Sequence, residues 1–219
     1  MQEIRFHGRG GQGTVVCSNI LAETLFIEGK YVQSFPFFGV ERRGAPVTAF
    51  VRVDHKPIRI AQHVYEPDYI VVLDKALLKM VPDIIVKGSK NKTVYLFNMD
   101  NCQINLNIKD EQKLYCVNAT EIAIKYGLGT KFTPIVNTVI LGAFIRISQL
   151  GKFESLLKAI ERHVPVKVEE NKKAAEEAYN AVNEIRNTKY ETSNVERQTS
   201  NVKRQTSNVE LAYGPVARE

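Results

Sequence analysis

The stretch Glu3-Ile4-Arg5-Phe6-His7-Gly8-Arg9-Gly10-Gly11-Gln12-Gly13, with the run Thr14 to Ile27 behind it, decides how the fold is read. Its first five residues alternate polar and apolar, the period of a strand with one buried face. Glycines then crowd the next six positions, which permits a tight turn. From Thr14 on, Val15, Val16, Ile20, Leu21, Leu25 and Phe26 return at helical spacing. Gly29 stands where a helix-ending glycine is expected. Strand, glycine turn and helix in that order open an α/β sheet.

The following segments extend the pattern. Tyr31 to Phe38 and Pro46 to Val53 read as paired strands, joined by the charged, glycine-bounded connection Gly39-Val40-Glu41-Arg42-Arg43-Gly44-Ala45. A further short strand is expected at Ile58-Arg59-Ile60. The unbroken apolar run closed by Asp74, from Asp68 through Leu73, suits a parallel strand covered on both faces. Thr93–Phe97 and Leu114–Val117 look alike in this respect. Helices are expected over Lys75–Met80, Thr120–Tyr126, Val136–Leu150, Lys152–His163 and Val168–Ile185. The alternation predicts an α/β fold, a three-layer α/β/α domain with a mixed, mostly parallel sheet, a Rossmann-like variant. Its expected extent is residues 1–187. Residues 188–219 carry a seven-residue repeat, Thr192 to Gln198 returning as Thr199 to Gln205, with a single valine per unit. A coiled coil needs two apolar positions per heptad, so this tail is expected to be disordered.

A chain of 219 residues, 44% of them hydrophobic, can bury one sizeable core. The start carries no signal-peptide pattern and no apolar run reaches the roughly 20 residues that span a bilayer, so a soluble, cytoplasmic protein without membrane partners is expected. Cys17, Cys102 and Cys116 are widely spaced, and read as reduced structural thiols. An iron–sulfur cluster needs about four thiolates, more than the three cysteines of this chain. The net charge of +6 is spread among acidic residues, as in Lys167 to Lys173, which argues against a nucleic-acid partner.

Three motifs carry the chemistry. Gly8-Arg9-Gly10-Gly11-Gln12-Gly13 satisfies the dinucleotide pattern G-x-G-x-x-G, but the next strand ends in phenylalanines where a ribose-binding carboxylate is required. A dinucleotide site, another phosphate-bearing ligand and a purely structural turn all remain open on these residues. Phe35 to Pro46 places aromatics beside Arg42 and Arg43, whose planar forks suit phosphate or carboxylate. In Pro134 to Phe144, Asn137-Thr138 mark a helix start and Gly142 a close helix contact. No catalytic residue and no metal ligand set is identified: His7, His55, His63 and His163 lack metal-ligand spacing.

Taken in series, Phe6 to Gly13, Phe35 to Pro46, Tyr65-Glu66-Pro67-Asp68 and Asn137-Thr138 through Phe144 resemble the gamma subunits of 2-oxoacid:ferredoxin oxidoreductases, above all the pyruvate (pyruvate synthase) branch. The resemblance runs from about residue 2 to residue 185 and omits the repeat tail. It implies a subunit inactive alone, partnered by alpha, beta and delta subunits. The complex would convert pyruvate, coenzyme A and oxidised ferredoxin reversibly to acetyl-CoA, carbon dioxide and reduced ferredoxin. Thiamine diphosphate, Mg2+ and 4Fe–4S clusters would sit on the partners, with coenzyme A as substrate. The resemblance then points to Gly8, Arg9, Gly10, Gly11, Gln12, Gly13, Arg42 and Arg43 as coenzyme A contacts or a subunit junction. A branched-chain 2-oxoacid enzyme, a stand-alone dinucleotide-binding protein and a non-catalytic adaptor are the alternatives.

Overall fold

Strand β1 (Gln2–Arg9) lies inside a seven-stranded sheet, and its neighbours on the two sides run in opposite senses. The computed structural model describes residues 1–37, 44–100, 104 and 106–185, all within the unit Met1–Ile185. The repeat tail lies outside the described residues. The chain passes from β1 through α1 (Thr14–Phe26) to edge strand β2 (Tyr31–Phe37), then returns along β3 (Pro46–Asp54) beside β1. It next crosses to β4 (Tyr69–Val72) on the other flank of β1, parallel to it. Strands β5 (Val94–Asn98) and β6 (Lys113–Val117) continue the parallel set, and β7 (Asn183–Ile185) closes it antiparallel. The order is β2-β3-β1-β4-β5-β6-β7, a mixed sheet as expected, in which three pairings among the described residues are parallel and three antiparallel.

Helices cover both faces. Ile4 and Phe6 of β1 pack under α1, α5 (Asn137–Ser148), α6 (Phe153–His163) and α7 (Val168–Ala181), in one core with Leu21, Phe144 and Leu156. The other face holds Ile70, Val72, Tyr95 and Phe97 beneath the short helices α2 (Leu77–Met80) and α3 (Pro82–Val86). The short α4 (Ala119–Lys125) follows β6, capped by the Asn118 side chain, which accepts from the Glu121 amide.

The alternation in β1 predicted one solvated face, yet Arg5 and His7 are buried. Nη2 of Arg5 donates to the carbonyls of Ile85 (2.9 Å) and Lys87 (2.7 Å), meeting the end of α3, while Nε of Arg5 and Nε2 of His7 are buried without a hydrogen-bond partner among the described residues. A central strand can therefore carry polar residues inward when backbone carbonyls meet them.

Three further departures have physical causes. Ile58-Arg59-Ile60 forms no strand. The segment 55–68 instead crosses the outer face of β2 and β3, tied down by Gln33 donating to the Ile58 carbonyl (3.3 Å) and Arg52 to the Gln62 carbonyl (2.6 Å). The helix expected to reach Ile185 ends at Ala181, and three residues then pair with β6, covering an edge otherwise open. Of the three cysteines expected as thiols, Cys116 is disulfide-bonded, while Cys17 is a buried free thiol donating to the Asn137 carbonyl (3.3 Å). Cys102 lies outside the described residues. Among the described residues no helix is long and apolar enough to cross a membrane.

Gly142 lets α5 and α7 touch backbone to backbone: a Cβ there would stand 1.9 Å from the Ala175 carbonyl oxygen. Gly142→Ala is expected to lower stability by about 1–3 kcal/mol through forced separation of the two helices, read by urea unfolding of the full chain; an unchanged midpoint would contradict that contact. His7 supplies a pH dependence. Burial, reinforced by the nearby Arg5 charge, holds its pKa down at about 3, so the folded imidazole stays neutral while the unfolded one protonates below its ordinary value near 6.5. Stability is therefore complete above pH 6.5 and falls as the pH drops from there toward 3, by at most about 1.4 kcal/mol per pH unit. Between pH 7 and 5, His7→Leu is expected to flatten this slope in denaturant titrations, and equal slopes would exclude the effect.

Candidate functional site

The carboxyl ends of β1, β4, β5 and β6 open into a cleft of about 1010 Å³. Its place follows from connectivity. The chain leaves β1 toward one flank of the sheet and leaves β4 toward the other, and such a reversal point keeps the space between successive loops free of covering helices. The glycine turn forms one wall, Asn98 and Thr120 line the base of another, and residues 129–137 form the third.

At the first wall a carboxylate organises the turn. Asp74, just beyond β4, accepts at Oδ2 from Arg9 Nε and Nη2 and from Gln12 Nε2, each at 2.6 Å. Its Oδ1 accepts from the Ala76 amide at 2.8 Å. Gln12 Oε1 turns back to accept from the Arg9 amide at 2.8 Å. The side chains of Arg9 and Gln12 are thus spent on an internal anion. Five of the six residues of the motif line the cleft, Arg9, Gly10, Gly11, Gln12 and Gly13, whereas Gly8, within β1, does not. Gly13 precedes α1 at φ 73°, a left-handed geometry that favours glycine.

The turn is clamped to the second motif. The Gly10 amide donates to the Ala45 carbonyl (2.9 Å) and the Gly44 amide to the Gly10 carbonyl (3.1 Å). Gly44 itself lines the cleft. Arg42 and Arg43 lie outside the described residues, as does the end of the aromatic stretch at Phe38.

The other walls were not legible as a site in the sequence. Asn98 donates to the Leu73 carbonyl (2.8 Å) and to Thr120 Oγ1 (2.9 Å) and accepts from the Thr120 amide (3.1 Å), which stitches the ends of β4, β5 and α4 together. Lys75 pairs with Asp100 at 2.9 Å. Opposite, Thr130 and Thr133 close a tight turn through a 2.8 Å hydroxyl contact, and its apex holds Lys131 and Phe132, the latter 93% exposed. Ile124 and Ile135 add exposed apolar surface to the same rim.

Chemically this cleft is a binding surface. Its polar groups are amides, hydroxyls, carboxylates engaged by Arg9, Lys75 and Asn118, and the ammonium of Lys131. Cys17 is enclosed, and burial pushes its thiol well above the range in which it ionises. Among the described residues no group of three or more His, Cys, Asp or Glu side chains could hold a metal ion. The layout also opposes a dinucleotide: β3 intervenes between β1 and β2, so the end of β2 cannot offer a ribose carboxylate beside the glycine turn.

Residues 3–181 match the family described as pyruvate ferredoxin/flavodoxin oxidoreductase. The chain is 50% identical over 183 residues to the pyruvate/ketoisovalerate oxidoreductases common subunit gamma of Pyrococcus furiosus, covering 82% of this chain and 96% of that one. It is 48% identical over 180 residues to the pyruvate synthase subunit PorC of Methanothermobacter marburgensis, again covering 82% and 96%. The crystal structure of pyruvate oxidoreductase subunit PORC from Thermotoga maritima superposes with a TM-score of 0.70 at 33% identity, covering 84% of this chain and 98% of that one. The order of strands, the clamped glycine turn and these likenesses agree: the chain belongs to the pyruvate ferredoxin/flavodoxin oxidoreductase family.

Proposed function

We propose that this chain is the gamma subunit of a pyruvate:ferredoxin oxidoreductase, and that its cleft receives coenzyme A where partner subunits meet it. The observation that carries the reading is the 48% identity to a pyruvate synthase subunit across 96% of that subunit's length. The assembled enzyme would interconvert pyruvate, coenzyme A and oxidised ferredoxin with acetyl-CoA, carbon dioxide and reduced ferredoxin, in the cytoplasm. A relative named as common to pyruvate and ketoisovalerate oxidoreductases supports a second reading, in which the same chain also serves a branched-chain 2-oxoacid enzyme.

The cofactors belong to the alpha, beta and delta partners in this proposal. The residues here do not fit an iron–sulfur cluster: of three cysteines in the whole chain, Cys17 is enclosed and Cys116 is disulfide-bonded. Thiamine diphosphate with Mg2+ supplies the carbanion chemistry when bound on those partners. This chain's share is to orient and shield. The exposed apolar rim of Phe132, Ile135 and Ile124 suits coverage by a partner. Arg42 and Arg43 supply charge for phosphates, next in sequence to Gly44, which is clamped into the cleft wall.

In the assembled complex, replacing Arg42 and Arg43 together by alanine is expected to raise the KM for coenzyme A at least about tenfold, the loss of one charge-assisted contact, with the KM for pyruvate unchanged. An unaltered KM for coenzyme A would remove the arginines from the site. The subunit assignment is checked by affinity purification and mass spectrometry: thiamine-binding and cluster-binding chains should co-purify. An isolated monomer that reduces ferredoxin with pyruvate by itself would refute it.

A further inference from the structure

We propose that the open edge of β2 is a self-pairing surface: two copies of this chain join antiparallel along Tyr31–Phe37, about a two-fold axis at Ser34, into one continuous sheet. No residue of β2 lines the cleft, so the pairing stands whatever the cleft binds.

The first observation is an edge left bare. β2 begins the strand order and is hydrogen-bonded to β3 alone. Among the described residues, no backbone hydrogen bond from a turn or loop reaches Tyr31–Phe37 on the other side. The opposite edge, β7, is three residues long and carries the exposed Glu184, a short and charged form that discourages strand addition. β2 has seven residues, Tyr-Val-Gln-Ser-Phe-Pro-Phe, and none of them is charged. Its guard is Pro36, and the guard is partial. Proline is tolerated in an edge strand where its nitrogen faces away from the neighbour, so Val32, Ser34 and Pro36 turn their backbone groups outward. Val32 and Ser34 then offer both N–H and C=O, and Pro36 a C=O alone.

The second observation identifies the occupant. About Ser34 the strand is its own complement. Ser34 exchanges both backbone bonds with Ser34 of the second copy, and each Val32 amide meets a Pro36 carbonyl. Tyr31 and Phe37, both half-exposed, share the outer face with Gln33 and Phe35. The two-fold sets Tyr31 of each copy opposite Phe37 of the other, and cross-strand aromatic pairs of this kind stabilise a sheet. On the inner face Ser34 Oγ donates to Asn19 Oδ1 at 2.8 Å, which places that side of α1 beside the strand. Val16 and Phe26, three residues before Asn19 and seven after it, lie on the same side of the helix and are exposed. Apolar surface therefore flanks the seam on both faces. Charge does not oppose the pairing, because the ionised groups around the strand are engaged within the chain. Lys30 pairs with Glu28 (3.2 Å), Asp54 with the amino terminus (3.1 Å), and Glu23 with Arg162. A strand from another polypeptide would require no symmetry here; ends that match across a centre are what a second copy needs.

Paired substitutions at the two ends of the strand test both the seam and its register. Tyr31→Lys with Phe37→Lys sets like charges opposite each other, at positions already exposed in the single chain. In sedimentation equilibrium the wild-type full chain is expected to dimerise in the micromolar range. The doubly substituted chain should raise the dimer dissociation constant at least about tenfold. Tyr31→Glu with Phe37→Glu should do the same alone. An equimolar mixture of the two variants is expected to recover the dimer, since opposite charges then face across the axis, and mixing does not repair a folding defect. A wild-type chain that stays monomeric throughout that range overturns the pairing and leaves the edge to a strand from another polypeptide. Unchanged affinity in either variant overturns it as well. Weakened dimers that mixing fails to recover overturn the pairing about Ser34.

Discussion

The carboxylate of Asp74 is the contact on which the cleft depends. It stands at the end of β4, the strand that follows the reversal of the chain, and gathers donors from Arg9 and Gln12 on the turn after β1. A charge-assisted cluster at 2.6 Å holds those side chains down and fixes the path of the turn. Without an internal anion, Arg9 would be the natural ligand for an external one, and the turn would rely on its ligand for shape. With it, the wall is formed in advance, Arg9 and Gln12 included. The same choice leaves the start of α1 unneutralised, since Asp74 spends its oxygens on side chains and on the Ala76 amide.

The layers and most elements were legible because burial on this sheet is regular. α1, β4, β5 and α6 follow hydrophobic periods that differ by only a few residues from their final bounds. β7 was not legible: Asn183-Glu184-Ile185 has no period to display, and the helix former that precedes it reads straight through. It exists because β6 offers an unpaired edge, which is a tertiary fact. The segment at Ile58 misled for the converse reason. Its apolar residues look like a strand, but its carbonyls are claimed by Gln33 and by Arg52, a side chain 1% exposed that needs both Glu3 and Gln62 to be tolerable inside.

The candidate site was half legible. Gly8 to Gly13 announced a turn with exposed backbone, and Asp74 was visible as the end of an apolar run. That the two would meet depends on β4 docking beside β1, sixty-odd residues along the chain, which no local pattern encodes. Asn137 was read as a helix start, which it is; its place on the cleft wall arises because α5 begins against the start of α1. Lys131 and Phe132 belong to a four-residue turn held by two threonine hydroxyls, a signal too short to stand out.

The walls differ in what they demand of their surroundings, and that difference bears on how such a subunit can work. The glycine turn and the Asn98–Thr120 stitch are internally satisfied, so they keep their geometry whether or not anything is bound. The rim at Phe132, Ile135 and Ile124 is the opposite: apolar surface facing water gains free energy only from a covering partner or ligand. Between them lies Asn137, polar, largely buried and short of one acceptor. A rigid wall, an unsatisfied donor and an uncovered rim together make ligand binding and partner docking mutually reinforcing, because each removes water from groups the other needs desolvated. Coupling of that kind requires no moving lid in this chain. It follows from leaving the apolar rim of a preformed cleft uncovered.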